Sequence, residues 1–155
     1  MAFTHHGRDY GDHQYVLLSD VHLSELAPEA TADWWSYKRP DASQDDVLTA
    51  FMVHLDAQRP DAFGSTVLIF NGDTFDFDSV FTHPDKEGSQ PTGLPPTEPW
   101  SVFKMRRLLA DHERFVRGLA SFLASGNQVI FVMGNHDREL AFETVQAELV
   151  RQVVR

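Results

Sequence analysis

The stretch Val67-Leu68-Ile69-Phe70-Asn71-Gly72-Asp73 decides the fold, because a short apolar run passes directly into polar and turn residues. The same pattern recurs where Tyr15 to Leu18 leads into Ser19-Asp20-Val21-His22, and where Val129 to Met133 leads into Gly134-Asn135-His136-Asp137. Apolar runs without polar alternation, rich in β-branched and aromatic residues, are typical of strands buried on both faces. We therefore predict three such strands, each followed by a polar cluster.

Helical patterns lie between and after the predicted strands. The first covers Asp45 to Gln58, with Ser43 as the expected N-cap, and the second runs from about Ser101 to Ala124. A third begins at Glu139. Strands that alternate with helices predict βαβ units and a mainly parallel sheet. The apolar stripe of the third helix is formed by Leu140, Val145, Leu149 and Val153.

Two stretches show neither a helical nor a strand period. Residues 24–40 contain Trp34, Trp35 and Tyr37, and residues 78–100 are rich in Pro and Gly. Both are predicted to be long loops, which in compact domains often carry function. We expect the Trp side chains, including Trp100, to pack over the edge of the core; the alternative is that they anchor a protein partner.

The composition is that of one soluble domain and limits its partners. The chain has 155 residues, with 23 acidic against 13 basic residues and a formal net charge of −10. This charge argues against binding to a nucleic-acid backbone, which requires a cationic face. Cys is absent, and no apolar run approaches the ~20 residues that span a bilayer. We expect one domain over residues 1–155, a flexible start at residues 1–13 without a signal peptide, and a cytoplasmic location.

The three polar clusters are expected to meet, because the carboxyl ends of parallel strands lie at one edge of a sheet. Alternate side chains of a strand point the same way, so Asp20 and His22 can share one ion. Gly72 allows a sharp turn before Asp73. Oxygen and nitrogen donors without sulfur favour Mn or Fe, with Zn and Mg possible. The sequence therefore predicts a divalent-metal site at this edge.

The blocks Asp20-x-His22, Gly72-Asp73 and Gly134-Asn135-His136-Asp137 resemble the first three signature blocks of calcineurin-like metallophosphoesterases. The stretch Gly72-Asp73-Thr74-Phe75-Asp76 is also similar to the branch that contains the UDP-2,3-diacylglucosamine pyrophosphatases. The resemblance implies an α/β fold, a metallophosphoesterase-type β-sandwich flanked by helices. It also implies metal-dependent hydrolysis of a phosphomonoester, phosphodiester or pyrophosphate, with a phosphate-ester small molecule as substrate.

The resemblance implies two divalent metal ions, of which Mn is the preferred identity. Asp20 and His22 would hold the first ion, Asp73 would bridge both, and Asn135 would bind the second through its amide oxygen. Two metal ions held close together activate a water for attack on phosphorus.

The resemblance also gives roles to the two residues after Asn135. His136 would lie near the scissile phosphate, where it stabilises charge or protonates the leaving oxygen. Asp137 would orient His136, as carboxylates commonly do for imidazoles.

The family pattern normally continues with a further strand ending in His and a Gly-His-x-His block, whereas no His follows His136 here. We therefore expect an incomplete fold, truncated at the C-terminus with the second sheet largely missing, and weak metal binding and activity. The apolar sheet face would then be covered by a C-terminal half or by self-association.

Two alternatives remain open from the sequence. Asp76-Phe77-Asp78-Ser79-Val80 fits the nucleophile motif of haloacid-dehalogenase-type aspartyl phosphatases, with Asp76 as nucleophile, although that motif should follow directly on a strand. The other alternative is a catalytically inactive metallophosphoesterase-like scaffold that binds a protein partner.

Overall fold

The computed structural model describes residues 12–26, 43–85 and 93–154. Two short 3-10 helices, Phe77–Ser79 and Arg138–Ala141, accompany the main elements. The strands and α-helices, in chain order, are β1 His13–Leu18, α1 Ser43–Ala57, β2 Ser65–Asn71, α2 Glu98–Asp111, α3 Glu113–Ala124, β3 Gln128–Val132 and α4 Glu143–Val153. The prediction of a mixed α/β fold is confirmed. Among the described residues, no helix is both long enough and apolar enough to cross a membrane.

The strands form one parallel sheet in the order β1-β2-β3, as the βαβ pattern predicts. Leu18 lies opposite Phe70, and Phe70 lies opposite Phe131. A parallel arrangement requires a crossover between successive strands, and α1 supplies the first while α2 and α3 supply the second. All three strands therefore end at the same edge.

The core lies on the sheet face that the helices cover. Phe70 stacks on Phe131 with ring centroids 5.0 Å apart and meets Phe115 of α3 edge-on at 5.9 Å. Phe70 and Phe115 are fully buried, and burial of a side chain of this size contributes about 1.5–3 kcal/mol. These contacts fix α3 against the sheet.

The prediction that all three strands are buried on both faces is wrong for β1 and β3. Leu17 is 63% exposed and Ile130 is 44% exposed, whereas Val67 in the central strand is 3% exposed. The described helices cover one face of the sheet, so side chains of the edge strands that point the other way stay in contact with solvent. With Ile69 between them, Leu17 and Ile130 form a row across this open face.

The predicted single helix over Ser101 to Ala124 is two helices, separated at His112. The His112 side chain at this break is buried, with 1% of its surface exposed. Its Nδ1 lies 2.7 Å from Asp45 Oδ1 of α1, and its Nε2 donates to the Ser24 carbonyl at 2.8 Å. The backbone turns at His112 (φ −108°, ψ 43°), which brings the ring to both acceptors and ends α2. No Pro or Gly marks this break in the sequence.

The remaining predictions have mixed outcomes. The four residues of the predicted apolar stripe are all buried, as expected: Leu140 in the 3-10 helix before α4, and Val145, Leu149 and Val153 in α4. Pro99 lies in the first turn of α2 rather than in a loop, where its missing N–H is tolerated. Trp100 packs against the core, as predicted. The predictions for Trp34, Trp35 and Tyr37 lie outside the described residues, as does most of the expected flexible start, although His13 belongs to β1.

Replacement of His112 by Ala is expected to lower the free energy of unfolding by about 3 kcal/mol, because the buried Asp45 carboxylate keeps only the Phe115 N–H as a partner. Urea denaturation measures the effect. His54→Ala is the matched control, since His54 is an exposed histidine on α1, and it is expected to change the value by less than about 0.5 kcal/mol. Equal effects of the two changes would contradict this account.

Candidate metal centre

The three segments that follow the strands are joined by backbone hydrogen bonds. The Asp20 N–H donates to the Gly72 carbonyl at 3.3 Å, and the His22 N–H donates to the Asp73 carbonyl at 2.9 Å. On the other side, the Gly72 N–H donates to the Val132 carbonyl at 3.0 Å. The parallel pairing thus continues past the strand ends and brings the three predicted clusters together.

The first two candidate ligands approach each other by a different route from the one predicted. Strand β1 ends at Leu18, so Asp20 and His22 do not alternate along a strand. Both have left-handed backbones, with φ of 56° and 52°, and Asp73 shares this conformation at 52°. Within the described chain these are the only residues other than Gly with positive φ. Such conformations cost of order 1 kcal/mol or more each and cluster at functional sites.

Two glycines let the second and third segments come into contact. Gly72 has φ of 86°, which residues with a side chain rarely adopt. A Cβ on Gly134 would lie 2.1 Å from Asp73 Oδ1 and 2.5 Å from the Asp73 nitrogen, which no side chain could occupy. Gly134 is therefore required for the third segment to pass beside the Asp73 carboxylate.

Two groups of side chains have the spacing of metal ligands. The first is formed by Asp20, His22 and Asp73, and the second by His22, Asp76 and His136. Within each group the candidate donor atoms all lie within 4.8 Å of one another. Carboxylate oxygens and imidazole nitrogens suit Mn, Fe or Zn, and a cation offsets the repulsion between Asp20 and Asp73. The donor set therefore fits a divalent metal.

Asp76 is the carboxylate beside His136. Its Oδ1 lies 3.3 Å from His136 Nδ1, and its side chain is 5% exposed, against 31% for the imidazole. The His136 N–H also donates to Asp73 Oδ1 at 2.9 Å, and its ring meets His22 edge-on at 4.8 Å between centroids. Sequence reasoning missed this partnership, although Asp76 follows Asp73 within the same segment.

The expected role of Asp137 is wrong, because its hydrogen bonds go to the backbone and not to His136. Its Oδ1 accepts from the Gly134 N–H at 2.6 Å. Its Oδ2 accepts from the Thr74 N–H at 2.7 Å and from the Phe75 N–H at 3.4 Å. The side chain is fully buried. Asp137 thus joins the second segment to the third.

Asn135 lies at the same edge. It is exposed, and it stands between Gly134, which borders the Asp73 carboxylate, and His136, whose N–H binds that carboxylate. Its assignment to a second ion stays a prediction.

A family model described as calcineurin-like phosphoesterase matches residues 13–153 of the chain. The match includes all the strands and α-helices named above, so the chain belongs to the calcineurin-like phosphoesterase family and the resemblance inferred from its three blocks is confirmed. Neither a curated protein nor a solved structure matches the chain. The narrower likeness to UDP-2,3-diacylglucosamine pyrophosphatases stays a prediction.

Because the chain belongs to the calcineurin-like phosphoesterase family, it is not assigned to the haloacid-dehalogenase-type aspartyl phosphatases. Asp76 lies against His136, and Asp78 is 48% exposed and pairs with Arg138 at 3.7 Å. The family generally binds divalent metals and acts on phosphoesters, and the ligand groups described above agree with both properties.

Gly134→Ala is expected to weaken Mn²⁺ binding by about tenfold or more, because the new methyl group displaces the Asp73 carboxylate. Titration calorimetry measures the affinity. Gly126→Ala is the control, since Gly126 lies just after α3 with open space around it, so a new methyl group there displaces nothing even though its positive φ (84°) strains the substitution. An unchanged affinity in Gly134→Ala would contradict this placement of Asp73.

Proposed function

We propose that this chain hydrolyses a phosphoester with a metal-activated water, and that Asp20, His22 and Asp73 hold the first of two divalent ions. The observation that carries the proposal is the meeting of these three side chains at one sheet edge, in backbone conformations that the fold must hold against strain. Asp73 and Asn135 would hold the second ion, with Mn²⁺ the preferred metal.

The bound ions would supply an activated water and neutralise charge on the phosphoryl oxygens. Asp73 is held beside the third segment by the His136 N–H, so its carboxylate is preorganised before any ligand arrives. The Asp20 and His22 donors are fixed by the same backbone bonds that join the first segment to the second. The protein thus supplies a rigid donor set at an accessible edge.

We assign to His136 the role of protonating the leaving oxygen. Its Nδ1 faces Asp76, which leaves Nε2 as the nitrogen that can carry a proton toward a phosphate oxygen. Asp76 is the more buried of the two, so it orients the ring and stabilises the protonated imidazole. This role was expected of Asp137 and passes to Asp76.

The substrate class is a phosphomonoester, a phosphodiester or a pyrophosphate carried by a small molecule. An acidic edge lined with Asp side chains attracts phosphate only when cations are bound there. The lack of Cys in the sequence supports a reducing compartment, and we propose a cytoplasmic location.

The test of this function is Mn²⁺-dependent hydrolysis of an aryl phosphodiester. Asp73→Asn is expected to lower the rate by at least about a hundredfold, because the central ligand loses its charge. Asp78→Asn is the control, since this half-exposed carboxylate belongs to neither ligand group, and it is expected to leave the rate within about twofold of the unmodified chain. Turnover that survives in Asp73→Asn would refute the site. Mn²⁺ binding without turnover of any phosphoester would favour the inactive scaffold.

Asp76→Asn separates two roles for Asp76, orientation of the His136 ring and direct metal binding. We expect kcat to fall by about tenfold to a hundredfold while Mn²⁺ affinity stays within about twofold, because Asp76 acts through the imidazole. A large loss of Mn²⁺ affinity would instead make Asp76 a metal ligand.

A further inference from the structure

Helix α2 contacts each of the three segments that follow the strands. The sheet edge at which these segments bring Asp20, His22 and Asp73 together is called the metal edge below. The residues involved recur along one side of the helix and at its end: Lys104, Arg107, Asp111 and His112. None of them belongs to the ligand groups described above. Their contacts are charged or hydrogen-bonded, and several are buried.

The segment after His22 is bound most tightly. Arg107 Nε lies 2.8 Å from Glu25 Oε1, and Asp111 Oδ2 accepts from the Leu26 N–H at 2.9 Å. The His112 ring donates to the Ser24 carbonyl. Burial raises the pKa of the Asp111 carboxyl, against the lowering effect of the Leu26 N–H and Arg107. The Asp111 side chain is 12% exposed, so its bond to the Leu26 N–H is largely shielded from water, which strengthens it.

The Glu25 carboxylate extends this contact to the segment after Asp73 and Asp76. Its Oε2 accepts from the Phe81 N–H at 2.8 Å and from the Thr82 N–H at 3.0 Å. The side chain is 5% exposed, against 32% for its partner Arg107. One buried carboxylate thus connects α2 to both the first and the second segments.

The third segment is held by a buried ion pair. Lys104 Nζ lies 3.3 Å from Glu139 Oε1, with side chains 1% and 2% exposed. Glu139 lies three residues after His136, at the start of the 3-10 helix Arg138–Ala141, so this pair fixes the chain directly beyond the imidazole.

We propose that helix α2 sets the geometry of the metal edge, and that Glu25 and Arg107 are positioning residues for Asp20, His22 and Asp73 although they touch none of them. The inference rests on the metal site proposed above. Its physical basis is the left-handed backbone of the three ligands, which persists only where surrounding bonds outweigh its strain. The bonds from α2 are such a restraint.

Amide hydrogen exchange in Arg107→Met tests the proposal without metal. Met keeps much of the apolar stem and removes the guanidinium. We expect exchange at His22, Leu23 and Phe81 to accelerate by about tenfold or more, while Leu68 in the central strand is unchanged. Unchanged exchange at the three site amides, or an equal acceleration at all four, would overturn the proposal.

Mn²⁺ affinity supplies the second measurement. It is expected to fall by about tenfold in Arg107→Met. Arg117→Met is the matched control, because Arg117 is 67% exposed and pairs with Glu113 on α3 away from the edge, and it should stay within about twofold. Faster local exchange with unchanged Mn²⁺ affinity would overturn the positioning role. If the unmodified chain binds no Mn²⁺, the proposed function fails, and the exchange data alone decide whether α2 restrains the edge.

Glu25→Gln provides a further check on the pair. Its amide oxygen can still accept from the Phe81 and Thr82 N–H groups, but its amide nitrogen faces the Arg107 donors. The double variant with Arg107→Met is expected to exchange no faster at His22 than Arg107→Met alone, because both changes break one connection. Additive acceleration would show that the two residues act separately and would overturn their joint role.

Discussion

The arrangement of the candidate metal ligands depends on one buried carboxylate. Asp137 accepts hydrogen bonds from the Gly134 N–H on its own segment and from the Thr74 and Phe75 N–H groups on the neighbouring one. Without these bonds, backbone N–H donors of both segments would be left without a hydrogen-bond partner, at a cost of about 1–3 kcal/mol for each buried group. The contact also keeps Gly134 against the Asp73 carboxylate, where no side chain fits. The spacing of the ligand groups follows from this junction.

Much of the fold follows from the sequence because its signals are local. Apolar runs followed by polar clusters predicted the strands, and their parallel order predicted one shared edge. What could not be predicted depends on contacts between distant residues. His112 ends a helix because its ring reaches Asp45 and Ser24, and neither partner is visible from a helical period. The exposure of β1 and β3 depends likewise on which elements cover the sheet.

In the candidate site, too, the sequence predicts the chemical types of the residues but not how they are oriented. The chemical types of Asp20, His22, Asp73 and His136 indicate metal and phosphate chemistry, and their meeting follows from strand order. Their orientation does not, because it depends on left-handed backbones and on Asp76, rather than Asp137, being the carboxylate that lies beside the His136 ring. Asp76 follows β2 and Asp137 follows β3 at the same edge of the sheet, and only the three-dimensional path of the chain decides which one faces an imidazole and which one faces amides.

The open sheet face has a consequence for the behaviour of the chain in solution. Leu17 and Ile130 lie on this face with Ile69 between them, so apolar surface is available to any similar surface that comes close. At neutral pH the net charge of −10 keeps molecules apart by repulsion. As carboxylates protonate in mild acid, that repulsion weakens while the apolar surface stays the same. Colloidal stability is therefore set by a balance between surface charge and the face of the sheet that the described helices leave uncovered.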